Sequence, residues 1–207
     1  MKPTTFGSYE SMVKQTIEPY FRNKLITLKD LEARHIQQFY SEKLRTVKPN
    51  SVIHYHAVIH QALKYAMKTD LVPQNVAMKV DRPKKNDFQP VFLDAAELQR
   101  LFEVVKGTKL ELPVLVAAFY GLRRGEVLGL KWDAIDFERG TLTIKRTVTS
   151  VNVGGKTQII EQESAKTKSS MRTLPLVGRF KEYFAEVKAA QELNKQVCGN
   201  CYNYEYD

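Results

Sequence analysis

The 207-residue chain is 43% hydrophobic and 27% charged, the balance of a folded globular protein rather than of a disordered tail. No apolar run approaches the ~20 residues needed to cross a bilayer, and the opening MKPTTFGSYE lacks the apolar core of a signal peptide, so a cytoplasmic location is expected. The formal net charge of +9 suits a polyanionic partner, because each phosphate neutralised releases counterions, but it suits plain solubility as well.

Four helical segments are expected first. In SYESMVKQTIEPYF, Met12, Val13, Ile17 and Phe21 recur close to helical spacing. In TLKDLEARHIQQFYSEKL, Thr27 is the expected N-cap, with Asp30 three residues on, and Leu28, Leu31, Ile36, Phe39, Tyr40 and Leu44 supply the apolar face. Ser51 is the expected cap of a third helix reaching Met67, with Val52, Tyr55, Val58, Ile59, Leu63 and Ala66 buried. PQNVAMKV adds a short turn that opens on proline. Together these predict a small helical domain over residues 1–81. It is the more basic part of the chain, with 13 Lys/Arg against 7 Asp/Glu up to residue 82.

DRPKKNDFQPVF, with two prolines, clustered charge and no periodicity, reads as a linker over residues 82–92. A second domain over 93–207 begins with Asp94 and Glu97 at capping-box spacing. An apolar helix follows from about Leu112 to Tyr120. In the next stretch, GLRRGEVLGLKWDAIDF, adjacent Arg123 and Arg124 interrupt an apolar run directly after a glycine and a leucine. Alternation then replaces helical periodicity: GTLTIKRTVTSV reads as one strand, NVGGK as its turn and TQIIEQE as the returning strand. RTLPLV is a short third strand that its proline restricts to an edge or end, and a helix from about Gly178 to Gln196 closes the pattern.

Metal chemistry finds little support. The single C-x-x-C of Cys198 and Cys201 is half a zinc site, and two unligated thiols are expected. His56 and His60 share a helix face at a spacing zinc can use, but no third ligand is evident.

The stretch YGLRRGEVLGLKWDAIDFERGTLTI followed by AKTKSSMRTLPL resembles the tyrosine recombinases, or phage-type integrases, in the flavour found on conjugative transposons. The resemblance implies a mainly α fold with a small antiparallel β-sheet: a SAM-like helical core-binding domain, then the first half of a catalytic domain. It also implies attack of a tyrosine hydroxyl on a DNA phosphodiester, giving a 3′-phosphotyrosine with no metal or nucleotide cofactor. Charge on the five-coordinate phosphorane calls for bidentate guanidinium donors, and by the resemblance Arg123 is the first of these. Glu126 supports the arginine's surroundings. Lys166 corresponds to the lysine on a turn of the family's small sheet, a general acid for the leaving oxygen, with Lys168 two residues away as the alternative. Arg124 is expected to be a structural neighbour, since adjacent helical positions point about 100° apart, and Arg172 a backbone or DNA contact. In the resembled fold the third helix lies against DNA, which nominates Lys48, Asn50, Ser51, His54 and His56. Asp133 and Asp136 read as structural caps and Trp132 as a core anchor.

The family's H-x-x-R motif and nucleophilic tyrosine would follow Lys166, yet His35, His54, His56 and His60 all precede it, and Tyr202, Tyr204 and Tyr206 come too early in the family's order. The expectation is therefore a C-terminally truncated recombinase. It would bind double-stranded DNA at a core recombination site without cleaving it alone, and would self-associate through apolar surface where absent helices dock. The intact enzyme would act as a tetramer on DNA and involve no membrane. The rival expectation is a non-catalytic DNA-binding protein or a decayed integrase remnant.

Overall fold

Proline lacks an N–H and holds φ near the helical value, so it is tolerated in a helix's first turn. In the computed structural model, which describes residues 2–163 and 171–203, helices α1 (Pro3–Met12) and α4 (Pro49–Lys68) both begin on one. Pro19 has the opposite effect. It cannot bond back to Gln15 and its ring crowds that carbonyl, and a wide π turn over Val13–Ile17 accommodates it before helix α2 (Glu18–Asn23) resumes.

Two expected caps are corrected. Thr27 does not start a helix: its hydroxyl bonds to Asp30 within a turn, and helix α3 begins at Ala33 and runs to Lys43. There the Glu32 N–H donates to His35 Nδ1 at 3.2 Å, which closes the helix start. Ser51 lies inside α4, whose cap position is Lys48.

The chain forms two units, Met1–Phe92 with Val151–Gln158, and Leu93–Ser150 with Ile159–Asp207. In the first, Ile36, Phe39, Tyr40, Val52, Ile59, Leu63 and Ala77 form the core, flanked by Ile17, Tyr20 and Phe21. Tyr20 and Phe39 meet edge-on with ring centres 4.8 Å apart, a geometry the ring quadrupoles favour. Asn75, buried, caps the 3-10 turn Val76–Lys79 by accepting the Ala77 N–H, and donates to the His60 carbonyl oxygen at 3.0 Å. Hairpin residues also belong to this unit, an association that no local spacing signals. Gly7 lies against Val151 and Asn152 so closely that a Cβ there would sit 2.4 Å from a Val151 methyl, and the Glu10 carboxylate accepts the Gly154 N–H at 3.0 Å.

The second unit opens with helix α5 (Ala95–Val105), capped reciprocally by Asp94 and Glu97 as their spacing predicts. Helix α6 (Glu111–Tyr120) and the short helix α7 (Arg124–Leu128) follow. Strands β1 (Ile135–Asp136), β2 (Thr141–Ile144) and β5 (Arg172–Pro175) form an antiparallel sheet in the order β1-β2-β5, with Leu142 opposite Leu174 and Ile144 opposite Arg172. Pro175 ends the edge strand, where its missing N–H costs no ladder bond. The single strand expected over GTLTIKRTVTSV is in fact two: β2 stops at Ile144, and β3 (Arg146–Val153) pairs with β4 (Lys156–Glu163) as a separate hairpin. The break is held at Asp133, whose carboxylate takes Arg146 at 2.7 Å and whose carbonyl takes Lys145. Asp136 accepts the Arg139 N–H at 2.8 Å, shaping the β1–β2 turn. Helix α8 (Phe180–Cys198) covers this sheet's core of Val116, Leu122, Ile135, Leu142, Ile144, Phe180 and Phe184. Trp132 joins that core's rim and donates its indole N–H to Gln191 at 2.7 Å.

Helix α7 sits directly on the backbone of β3. A Cβ at Gly129 would lie 2.8 Å from the Arg146 carbonyl oxygen, and one at Gly125 would lie 3.1 Å from that of Val148. The two glycines of GEVLGL therefore serve a close approach of α7 to the β3 backbone. Gly129→Ala should destabilise the chain by about 1–3 kcal/mol, read as a lower urea midpoint, with Gly125→Ala milder. An unchanged midpoint for Gly129→Ala would contradict this packing.

Candidate functional site

Helix α6 ends where Gly121 adopts the left-handed conformation, at φ 61°. A residue with a Cβ would be strained there. The turn drops Leu122 into the core and leaves Arg123 with extended backbone, φ −69° and ψ 151°, as the cap residue of α7. Arg123 thus stands before the helix rather than within it, and Arg124 is the first helical residue. Arg124 is exposed and makes no ion pair among the described residues.

Glu126, on the first turn of α7, is the hub. One carboxylate oxygen, Oε2, accepts the Arg123 backbone N–H at 2.9 Å, and Oε1 accepts Arg123 Nη1 at 3.1 Å. From the edge strand β5, Arg172 delivers its planar fork to the same group, Nη1 to Oε1 at 3.1 Å and Nη2 to Oε2 at 2.8 Å. The two arginines are not equivalent. The Glu126 side chain is 6% exposed and that of Arg172 33%, whereas that of Arg123 is 82% exposed. Arg123 is therefore anchored at its backbone and open at its guanidinium.

A carboxylate this buried is tolerated ionised only when paired and hydrogen-bonded. The Arg172 guanidinium is the main cause that holds Glu126 at about 2, well below its ordinary 4.5; the Arg123 N–H and side chain add to it, against burial, which pulls the other way.

The other nominated residues sort differently. Lys166 and Lys168 lie outside the described residues. Arg172, read from the sequence as a backbone or DNA contact, places its guanidinium on Glu126, because β5 pairs with β2 and brings its first residue beside α7. The signal for this was the position of Arg172 two residues before the apolar-proline end of a short strand. What the sequence did not give was the strand's neighbour. His56 is corrected. It is buried at 9% exposure, with Nδ1 2.8 Å from the Tyr40 hydroxyl, so the helix face that carries it packs inward. Burial, with Arg82 and His60 nearby, pushes its imidazolium down toward the neutral form. Lys48 and His54 are exposed at the start of α4, and Asn50 and Ser51 half-buried. Among the described residues no group of three His, Cys, Asp or Glu is placed to hold a metal, and Cys198 and Cys201 are free and exposed.

Residues 1–44 match the family model described as phage integrase, N-terminal SAM-like domain. The chain is 27% identical over 217 aligned residues to a tyrosine recombinase XerC-like protein of Caldanaerobacter subterraneus subsp. tengcongensis; the match takes in 97% of this chain and 54% of that protein. Its fold is that of the Tn1549 transposon integrase solved with transposon right end DNA, with a TM-score of 0.67, 18% identity, and coverage of 93% of this chain and 61% of that one. The lambda integrase tetramer solved on a Holliday junction gives a TM-score of 0.64 at 18% identity, covering 91% of this chain and 52% of that one. The chain is thus similar to integrase-type tyrosine recombinases and shares the fold of their solved members. It spans about half the length of the curated recombinase it matches. The fold is mainly α with small antiparallel sheets, a SAM-like helical part preceding an α/β part.

The hub has a testable acid signature. Because its folded value is depressed, Glu126 contributes stability fully above about pH 4.5, and that contribution is lost as the pH falls toward 2. Glu126→Gln should therefore cost on the order of 3 kcal/mol at pH 7 and almost nothing near pH 2, measured by urea unfolding across that range. A cost that does not change with pH would contradict an ionised hub.

Proposed function

We propose that the chain clasps duplex DNA as part of a site-specific recombinase that cleaves and rejoins DNA through a 3′-phosphotyrosine. In this reading residues 1–81 are the core-binding domain, 82–92 the linker, and 93–207 the first half of the catalytic domain. Arg123 holds the non-bridging oxygens of a DNA phosphate, Glu126 positions it, and Lys166 donates a proton to the leaving oxygen. Lys48, Asn50, Ser51 and His54, on the first turns of α4, contact the DNA backbone.

The observation that carries this reading is the state of Arg123: a guanidinium 82% exposed, on a backbone fixed by a left-handed glycine and a buried carboxylate. This arginine presents its planar donors outward on a rigid stem, which suits an anion that offers two oxygens side by side, as a DNA phosphate does. The net charge of +9 supports the same partner.

These 207 residues contain no H-x-x-R after Lys166, so the strand-cleaving step draws on groups beyond those described for Arg123 and Lys166. Exposed Val104, Leu110 and Phe119 on the second unit support self-association of the chain.

Duplex binding followed by fluorescence anisotropy should show log affinity falling steeply with log salt, at roughly 0.9 per phosphate contact. Arg123→Gln should weaken binding and lower the slope by about one contact. A flat salt response would exclude the clasp. On a nicked suicide duplex the chain should form no denaturant-stable protein–DNA adduct, and recovery of such an adduct would show that it carries a complete active site.

A further inference from the structure

We infer that Arg172 is a positioning residue that frees Arg123 for its anion, by supplying the buried Glu126 carboxylate with a counter-charge of its own. The inference rests on the phosphate-holding role proposed for Arg123.

Glu126 and a bound phosphate compete for the same guanidinium. Arg123 is anchored by Glu126, yet a carboxylate is the strongest competitor for a guanidinium that must bind phosphate. Were Arg123 the sole cation at Glu126, leaving it for a phosphate would strand a charge that is 6% exposed, and an unpaired buried charge is costly. The geometry removes the conflict. Arg172 meets both oxygens of Glu126 with its fork, at 3.1 and 2.8 Å, whereas the side chain of Arg123 makes one bond at 3.1 Å to Oε1, an oxygen already occupied by Arg172. When the Arg123 side chain swings away, Glu126 keeps the Arg172 fork and the Arg123 backbone N–H, so its stem stays fixed while its guanidinium moves. The same division appears in exposure, with Arg172 33% exposed beneath an 82% exposed Arg123.

Removing Arg172 should therefore act on Arg123 and not merely loosen the fold. In Arg172→Met the carboxylate captures Arg123. Side-chain nitrogen NMR of the full chain reads this directly, as slowed rotation of the Arg123 guanidinium and separate Nη signals. Titration with inorganic phosphate should then move the Arg123 signals with an affinity about tenfold weaker than in the wild type, the loss of one charge-assisted bond. Deleting the carboxylate as well, in Glu126→Gln/Arg172→Met, should restore both free rotation and phosphate response. Arg172→Lys, which keeps a cation on Glu126, should stay near wild type and guards against a misfolded Met variant, with thermal melts read alongside.

The inference fails if Arg123 rotates as freely in Arg172→Met as in the wild type. It also fails if the double variant remains as weak for phosphate as Arg172→Met, since Arg172 would then be an anion contact itself. A wild-type Arg123 that ignores phosphate would overturn the phosphate-holding role, and the rotation measurement would still decide whether Arg172 keeps Glu126 from capturing it.

Discussion

A single buried carboxylate organises the second unit's candidate site. Glu126 has almost no access to water, so it stays charged only because two arginines and a backbone N–H converge on it. Those four bonds draw on the turn after α6, on the first turn of α7 and on the edge strand β5. The site therefore exists only when sheet, helix and turn are in register. The glycines enforce that register: Gly121 permits the left-handed turn, and Gly129 lets α7 close on the β3 backbone to within what no side chain would allow. Folding of the unit and construction of the site are in this sense one event.

The consequence for chemistry is a separation of tasks between two arginines that composition alone would count as equivalent. Guanidinium groups suit phosphate because their donors are planar and paired, but the same property makes them bind carboxylates. A protein that needs an arginine both held and available has to satisfy the holding carboxylate by other means. Here a second arginine, forty-nine residues later in the chain and adjacent in the fold, does so.

Much of this was legible in the sequence. The Asp94–Glu97 cap, the apolar faces of α3 and α4 and the proline at the end of β5 each have a local physical cause, and local causes can be read from spacing. The stretch YGLRRGEVLGLKWDAIDFERGTLTI with AKTKSSMRTLPL was specific enough to point to the tyrosine recombinases before any coordinates. What could not be read depends on distant partners. Thr27 looks like a cap because the sequence shows its side chain but not the competing turn it makes with Asp30. His56 looks like a surface ligand because spacing gives a helix face, and only packing shows that the face is turned toward Tyr40. Arg172 reads as a backbone or DNA contact, and its place beside Glu126 stays hidden, because strand order, β1-β2-β5, is not a property of any one strand. The same applies to residues 141–153, whose unbroken alternation conceals the break that Asp133 imposes through Lys145 and Arg146.

The most direct measurement is a structure of this chain on duplex DNA. The account predicts the Arg123 guanidinium within hydrogen-bonding distance of a phosphate oxygen, with its backbone N–H still on Glu126 and the Arg172 fork unmoved on that carboxylate. A complex in which Arg123 remains paired to Glu126 while Arg172 turns out to the DNA would contradict it.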